Sequence, residues 1–156
     1  MRIWIIMLLM NLNLNMEKLS PNFGLDELTY SATACRLRID NTPSAEIKDS
    51  LTNLAKNVLQ PIRNKWGAPI VVTSGYRCPI VNKAVGGAAG SQHMKGEAAD
   101  VKVGGKTENK KLFNLIVKMI NSGELTVGQL IDEYNYKWIH VSLPTPRHKN
   151  EVLHIK

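Results

Sequence analysis

The segment SQHMKGEAAD, Ser91 to Asp100, places a histidine seven residues ahead of an aspartate, with small residues between them. His93 and Asp100 offer an imidazole nitrogen and a carboxylate oxygen, which zinc accepts as ligands at about 2.0–2.2 Å. Gly96 relaxes the backbone between them, and the two alanines that follow leave room for the side chains to meet. The spacing alone is a weak signal, because such a pair can equally form an ordinary hydrogen bond.

A second segment, KWIHVS at residues 137–142, supplies a third candidate ligand. We predict a strand there, and alternation along it puts His140 on the same face as Trp138. A catalytic zinc takes three protein ligands and leaves its fourth position to water. His93, Asp100 and His140 therefore form a candidate catalytic site for one Zn²⁺ per chain.

The rest of the pattern predicts an α+β domain, in which a small and mostly antiparallel sheet has flanking helices. The clearest helix covers residues 41–67, with Ser44 as its cap and Pro61 as a kink or break. A second amphipathic helix is predicted over 107–123, and a short one over 78–85. The final two of four predicted strands form a hairpin. The predicted strands cover residues 69–76, 97–103, 127–134 and 137–143.

Shorter elements are expected near the two ends of the folded part. Asp26 is predicted to cap a short helix that carries Leu28 and Cys35 toward the core. An edge strand is predicted at Val152–Ile155. Cys35 and Cys78 are the only cysteines, and without a disulfide framework we expect two free thiols.

Composition limits the class of protein. A chain of 156 residues favours one domain, which we place at residues 19–156 and expect to be a monomer. Residues 1–18 contain an apolar run too short to span a bilayer and lack a small-x-small cleavage site, so we interpret them as a leader or a mis-assigned start. The net charge of +7 favours acidic partners. No arginine-rich block or aromatic-basic ladder supports nucleic-acid binding.

SGYRCPIVNKAVGGAAGSQHMKGEAADV followed by GQLIDEYNYKWIHVS resembles the zinc D-Ala-D-Ala peptidases, especially the small single-domain, phage endolysin-like branch. The resemblance runs from about Phe23 to Ser142. It implies the hedgehog/DD-peptidase-like fold and a peptidoglycan peptide substrate. It also implies zinc binding by His93, Asp100 and His140, the same set that coordination chemistry selects.

The resemblance also implies roles for three residues around the ligands. Arg77 matches an arginine that stabilises developing negative charge, to which a guanidinium offers a planar fork of donors. Ser91 matches a serine that contacts substrate, although a loop-capping hydroxyl explains it equally well. Tyr76 is a candidate pocket residue with a core aromatic as the alternative.

The general base is where the resemblance loosens. Many family members carry a glutamate three residues before the last histidine, but that position here is Lys137. On the predicted hairpin Glu133 lies diagonal to His140 and is our candidate base, with Asp132 as the second choice. It is also possible on the sequence alone that neither acts. Glu97 alternates away from Asp100 along its strand and is interpreted as structural or solvent-facing.

These predictions combine into a zinc metallopeptidase that hydrolyses peptide bonds in peptidoglycan stem peptides through metal-activated water. Terminal D-Ala removal and internal cleavage both remain open. The protein is expected to act at the cell wall or periplasm, exported by its apolar N-terminus or released as a cytoplasmic phage lysin through a holin-type route. The alternative is an inactive wall-binding module that retains the fold. His148 and His154 lie in a polar tail and are expected to be solvated.

Overall fold

A computed structural model of the chain describes residues 16–156. The predicted leader lies almost entirely outside the described residues. Strands β1 (Lys18–Ser20) and β2 (Phe23–Gly24) pair in an antiparallel manner. The carbonyl oxygen of Glu17 accepts a hydrogen bond from the backbone N–H of Leu25 at 2.8 Å. The folded part therefore includes Glu17, slightly before the predicted boundary at residue 19.

The first helix, α1 (Leu25–Thr29), begins two residues earlier than a cap at Asp26 allows. Gly24 is the N-cap residue, and the carboxylate of Glu27 accepts its backbone N–H at 2.8 Å. The prediction that Asp26 caps this helix was wrong, because Asp26 lies inside the first turn, where its charge favours the helix dipole. Leu28 is fully buried, as predicted.

The second helix, α2 (Ala32–Leu37), begins at Ser31, whose Oγ accepts the backbone N–H of Ala34 at 3.1 Å. Ala34 faces the core, and the next residue, Cys35, is exposed. The predicted burial of Cys35 was therefore wrong, because successive helical residues point about 100° apart. Both cysteines are free, as predicted.

The long predicted helix consists of three consecutive parts: α3 (Ala45–Leu54), a π-helical turn (Ala55–Leu59) and α4 (Gln60–Trp66). Ser44 caps it as predicted, accepting a backbone N–H at 3.3 Å. Pro61 lies in the first turn of α4. Because proline has no N–H and crowds the preceding turn, the wider π-helical turn accommodates it.

The main sheet has five strands, which are β3 Val71–Ser74, β4 Ala98–Lys102, β5 Gln129–Glu133, β6 Trp138–Ser142 and β7 Glu151–Ile155. Their order in the sheet is β3-β4-β6-β5-β7. All neighbouring strands are antiparallel except β7, which runs parallel to β5. The predicted hairpin is β5–β6, and the predicted edge strand is β7.

The two faces of this sheet differ in chemistry. One face packs on the helices and contributes Ala99, Val101, Leu130, Ile139 and Val141 to the core. Alternation therefore turns their neighbours on the strands toward the opposite face, where the polar candidate residues lie. The α+β prediction with a mostly antiparallel sheet is confirmed.

Three further elements connect the strands. Helix α5 (Pro79–Ala84) follows β3, and a 3₁₀ turn (Gln92–Lys95) precedes β4. Helix α6 (Lys106–Asn121) crosses from β4 to β5. Among residues 16–156, no helix combines the length and apolarity that crossing a membrane requires.

Candidate active site

The three predicted ligands lie together at the centre of the open face of the sheet. Asp100 on β4 pairs directly with His140 on β6, and His93 comes from the 3₁₀ turn just before β4. His93 Nε2 lies 3.2 Å from His140 Nδ1 and 3.3 Å from Asp100 Oδ1. His140 Nδ1 lies 3.1 Å from Asp100 Oδ1. All three residues are buried.

The backbone selects the tautomer of His93. Its Nδ1 lies 2.7 Å from the carbonyl oxygen of Gly75. A carbonyl oxygen only accepts, so Nδ1 carries the proton in this hydrogen bond. In the neutral ring, Nε2 is then unprotonated, and its lone pair faces His140 and Asp100. A backbone partner on the second nitrogen is the usual arrangement for a metal-binding histidine.

The donor set fits a tetrahedral metal. Ligand atoms bound at about 2.0–2.1 Å in a tetrahedron are separated by about 3.3–3.4 Å. The three donor atoms here are separated by 3.1–3.3 Å, close to one face of such a tetrahedron. Two imidazole nitrogens and one carboxylate oxygen also match the ligand types that zinc prefers. His93, Asp100 and His140 can therefore hold a metal ion.

The carboxyl group of Asp100 is held in its charged form. Burial works against this by raising its pKa, but hydrogen bonds and charge from His140 and His93 outweigh burial and hold the pKa well below its ordinary value. A carboxylate must be deprotonated to bind a metal. The site thus keeps Asp100 ready for that role.

Two glycines near His93 allow its backbone to pack closely against the neighbouring helices. A Cβ at Gly75 would lie 2.2 Å from the carbonyl oxygen of Leu28, so only glycine fits against α1 there. Gly96 ends the 3₁₀ turn with φ of 67°, and a Cβ there would lie 2.7 Å from the carbonyl oxygen of Ile47. The two close contacts fix the backbone on either side of His93: Gly75, which accepts the hydrogen bond of its Nδ1, and Gly96, which ends its turn.

A cavity of about 600 Å³ opens over the three ligands. Of the other predicted site residues, Arg77, Ser91 and Glu133 line it. Tyr76 does not: its side chain is 7% exposed and belongs to the core, which corrects its predicted substrate contact. The backbone explains this, because alternation after β3 turns Tyr76 and Arg77 to opposite sides.

A backbone hydrogen bond positions Arg77 beside His93. Its N–H donates to the carbonyl oxygen of His93 at 3.2 Å. Burial lowers the pKa of the guanidinium, while the charges of Asp100 and Glu133 act in the opposite direction. An arginine stays protonated through such shifts. Its Nε is buried without a hydrogen-bond partner among the described residues, which leaves a donor for a bound molecule.

Ser91 caps the 3₁₀ turn at the wall of the cavity. Its Oγ caps the 3₁₀ turn by accepting the backbone N–H of His93 at 3.3 Å. The residue also lines the cavity. The capping role is therefore present in the structure, and the hydroxyl is within the site as well.

Glu133 lies on the same face of the sheet as His140. The register pairs Ile131 with His140 and Glu133 with Trp138, which sets Glu133 diagonal to the histidine, as predicted. Burial is the main cause that raises the pKa of Glu133, and the negative charge of Asp100 raises it further. The indole Nε1 of Trp138 lies near the carboxylate without a hydrogen bond of ordinary geometry.

Asp132 and Glu97 lie away from the cavity. Asp132 points to the other face of β5, where its buried carboxylate contacts His154. Glu97 accepts a hydrogen bond from the Gln92 side chain at 3.2 Å. Neither residue lines the cavity over the ligands, so Glu133 is the carboxylate nearest to a base position.

The C-terminal tail contributes a wall that the sequence did not predict. The parallel pairing of β7 with β5 brings Ile155 and His148 to the cavity. The prediction that the tail histidines are solvated is confirmed for His154, whose side chain is 60% exposed although it contacts Asp132. His148 is half-exposed, and its Nδ1 lies 2.9 Å from Oε2 of Glu151, three residues further along the chain. The contact of His154 with Asp132 depends on which strand β7 joins.

The turn between Glu133 and His140 is held by an unpredicted residue. Three successive residues, 134–136, have φ of 52°, 55° and 61°, which is costly for side chains other than glycine. The amide of Asn109, buried on α6, donates to the carbonyl oxygens of Tyr136 and Lys137 at 2.9 and 3.2 Å. It also accepts the N–H of Val103 at 2.9 Å. Asn109 interrupts the apolar face of α6, and that interruption was the available signal.

The fold and the site define an α+β protein with a candidate metal centre. Residues 21–142 match the protein family described as Peptidase M15, and the chain belongs to this family of metallopeptidases. Its members are zinc enzymes, which agrees with the His-Asp-His set. No curated protein matches the chain.

Proposed function

We propose that this protein hydrolyses peptide bonds in peptidoglycan stem peptides, as a D-Ala-D-Ala carboxypeptidase or a lysin-type endopeptidase. The observation that carries the proposal is the convergence of His93 Nε2, His140 Nδ1 and Asp100 Oδ1 within 3.3 Å of one another in a cavity that Glu133 and Arg77 also line. The resemblance of the surrounding motifs to the D-Ala-D-Ala peptidases supports the substrate class.

His93, Asp100 and His140 would hold the zinc ion. Zinc in such a site supplies a Lewis acid and lowers the pKa of water to about 7. The protein keeps its donors ready for the ion: Gly75 holds the tautomer of His93, and the charged form of Asp100 is favoured. Because these side chains already have the required orientation and charge, little reorganisation is needed when the zinc ion binds.

Glu133 would act as the general base. Its carboxylate would accept a proton from the attacking water and pass it to the leaving amine. Partial burial raises its pKa above the ordinary value, which makes the carboxylate a stronger base than an exposed glutamate. Its position on β5, one strand away from His140, supports this role.

Arg77 would bind the oxygen on which negative charge develops. The unpaired Nε and the buried position of the guanidinium support this, because charge stabilisation is stronger where water is excluded. Ser91 would contact the substrate from the rim of the same cavity. The substrate places the action of the enzyme at the cell wall or in the periplasm.

The test combines zinc analysis with digestion of purified peptidoglycan. Glu133→Gln should keep about one zinc per chain, as a site with three protein ligands does, and lose hydrolysis. Glu46→Gln, an exposed glutamate on α3, is the matched control and should behave as wild type. Fragment masses would identify the bond and separate carboxypeptidase from endopeptidase action. Wild-type protein that binds zinc and releases no fragment would contradict the proposal.

A further inference from the structure

A second cavity adjoins the active-site cavity. Its volume is about 460 Å³, and Gly90, Gln92 and His148 belong to the walls of both cavities. The tail after β6 and the 3₁₀ turn that carries His93 form its sides. Because the cavities share these walls, a peptide that lies over the three metal-site residues can continue directly into the second cavity.

Gln92, in the shared wall, presents an unpaired acceptor. Its Nε2 donates to Glu97 Oε2 and to the carbonyl oxygen of Leu143, both at 3.2 Å. Because both partners only accept, the orientation of the amide is determined, and the remaining atom is Oε1. This oxygen is buried and has no partner among the described residues. Buried acceptors are nearly always paired, so this oxygen has the capacity to accept a hydrogen bond from a water or from an N–H of a bound molecule.

The charged groups of the second cavity are predominantly basic. Lys95 and Arg147 line it, and neither forms a salt bridge among residues 16–156. The one carboxylate in the lining, Glu97, already accepts a hydrogen bond from Gln92. His148 is engaged by Glu151 from outside the cavity. The two cations outnumber the single carboxylate of the lining, which keeps its charge, so the lining favours an anionic group.

We propose that the second cavity is a subsite for an acidic residue of the peptide substrate, with Gln92 accepting a peptide N–H and Lys95 and Arg147 pairing with a carboxylate. This inference rests on the proposed peptide hydrolysis and names the part of the substrate that it recognises. Arginine offers a bidentate fork to a carboxylate, whereas lysine acts as a point charge. The subsite therefore selects peptides whose internal carboxylates are free.

The experiment uses two synthetic stem peptides that differ at one kind of group. One has free internal carboxylates, the other has them as primary amides, and both keep a free C-terminus. In the zinc-loaded enzyme, Lys95→Gln/Arg147→Gln should raise KM for the acidic peptide by about five- to tenfold, the range expected for loss of two exposed ion pairs. Its kcat, and its KM for the amidated peptide, should stay at the wild-type value.

Two comparisons complete the design. Lys56→Gln/Arg63→Gln removes the same charges on the long helix, away from both cavities, and should leave both KM values unchanged. Gln92→Met should raise KM for both peptides, because a peptide N–H is common to them. Thermal unfolding of each variant checks that the fold is retained.

The outcomes separate this inference from the proposed function. Equal KM values for the acidic peptide in wild type and the Lys95/Arg147 variant would overturn the subsite and leave hydrolysis standing. Failure of wild type to cleave either peptide would instead contradict the proposed hydrolysis. Calorimetric titration with the two peptides then still tests the subsite: wild type should prefer the acidic peptide, and equal affinities would overturn it.

Discussion

The Nδ1–H of His93 donates to the carbonyl oxygen of Gly75 at 2.7 Å, which joins the end of β3 to the candidate metal site. The same glycine lies so close to α1 that its missing side chain is a condition of the contact. The orientation of one metal-site imidazole therefore depends on the packing of an N-terminal helix that has no chemical role.

Replacing Gly75 with alanine should destabilise the fold and disturb His93. The new Cβ would lie 2.2 Å from the carbonyl oxygen of Leu28, so α1 or β3 must move. We expect the free energy of unfolding to fall by about 1–3 kcal/mol, as for other overpacked sites. Urea denaturation and zinc titration measure the two effects. Gly105→Ala is the control, since its nearest atom is at 3.4 Å; equal losses in both variants would contradict the packing argument.

Replacing Asp100 with asparagine should abolish metal binding. The asparagine amide is neutral and removes the negative charge from the donor set. The affinity for zinc should therefore fall by more than about 100-fold, which exceeds the loss usual for residues that only hydrogen-bond to a ligand. Zinc should raise the melting temperature of wild type and not that of the variant. Asp49→Asn, an exposed aspartate, should retain wild-type binding. Full zinc occupancy in Asp100→Asn would exclude Asp100 as a ligand.

Replacing Arg77 with methionine should lower kcat by about 10²–10³-fold, the range found when one donor to a developing oxyanion is lost. Zinc content should remain that of wild type, because Arg77 is not among the three donors. Arg77→Lys should recover part of the loss, since the charge returns without the fork of donors. Arg36→Met on α2 is the exposed control. A wild-type kcat in Arg77→Met would remove this residue from the mechanism.

Glu133 should make the metal-free protein less stable at neutral pH. Its pKa is raised in the folded state, first by burial and then by Asp100, so ionisation favours the unfolded state above the ordinary pKa of 4.5. In chelated protein, Glu133→Gln should therefore be more stable than wild type at pH 7. The difference should shrink as pH falls through the raised pKa and level off below 4.5.

Chemical denaturation at a series of pH values measures this effect. Glu46→Gln serves as the control, because an exposed carboxyl on α3 is expected to give a stability difference that stays constant with pH. A stability difference for Glu133→Gln that grows toward acidic pH would show the opposite sign. Such a result would mean that the folded state favours the charged form of Glu133.

Much of the local structure followed from the sequence, because short-range chemistry determines it. The hydroxyl of Ser44 and the spacing of apolar residues after it predicted the long helix, and alternation predicted the β5–β6 hairpin. The same alternation placed Glu133 on the face of His140. The set of donors could be chosen from residue types alone, since few side chains bind zinc.

Other features depended on contacts between distant parts of the chain. The parallel addition of β7 to β5 brings His148 and Ile155 to the cavity, and nothing near these residues in sequence predicts it. Asn109 holds a strained turn 27 residues away through its amide. Cys35 was misplaced, and the choice between pocket and core stayed open for Tyr76, because propensity does not say which side of an element meets the core.

The sequence by itself determined the helices, the hairpin and the types of atom available to bind a metal, because these depend on neighbours along the chain. Only the tertiary structure decided which nitrogen of His93 is free and what closes the cavity wall. Those properties arise where segments far apart in sequence meet. The packing and hydrogen bonds that stabilise such contacts need both segments, so neither segment alone predicts them.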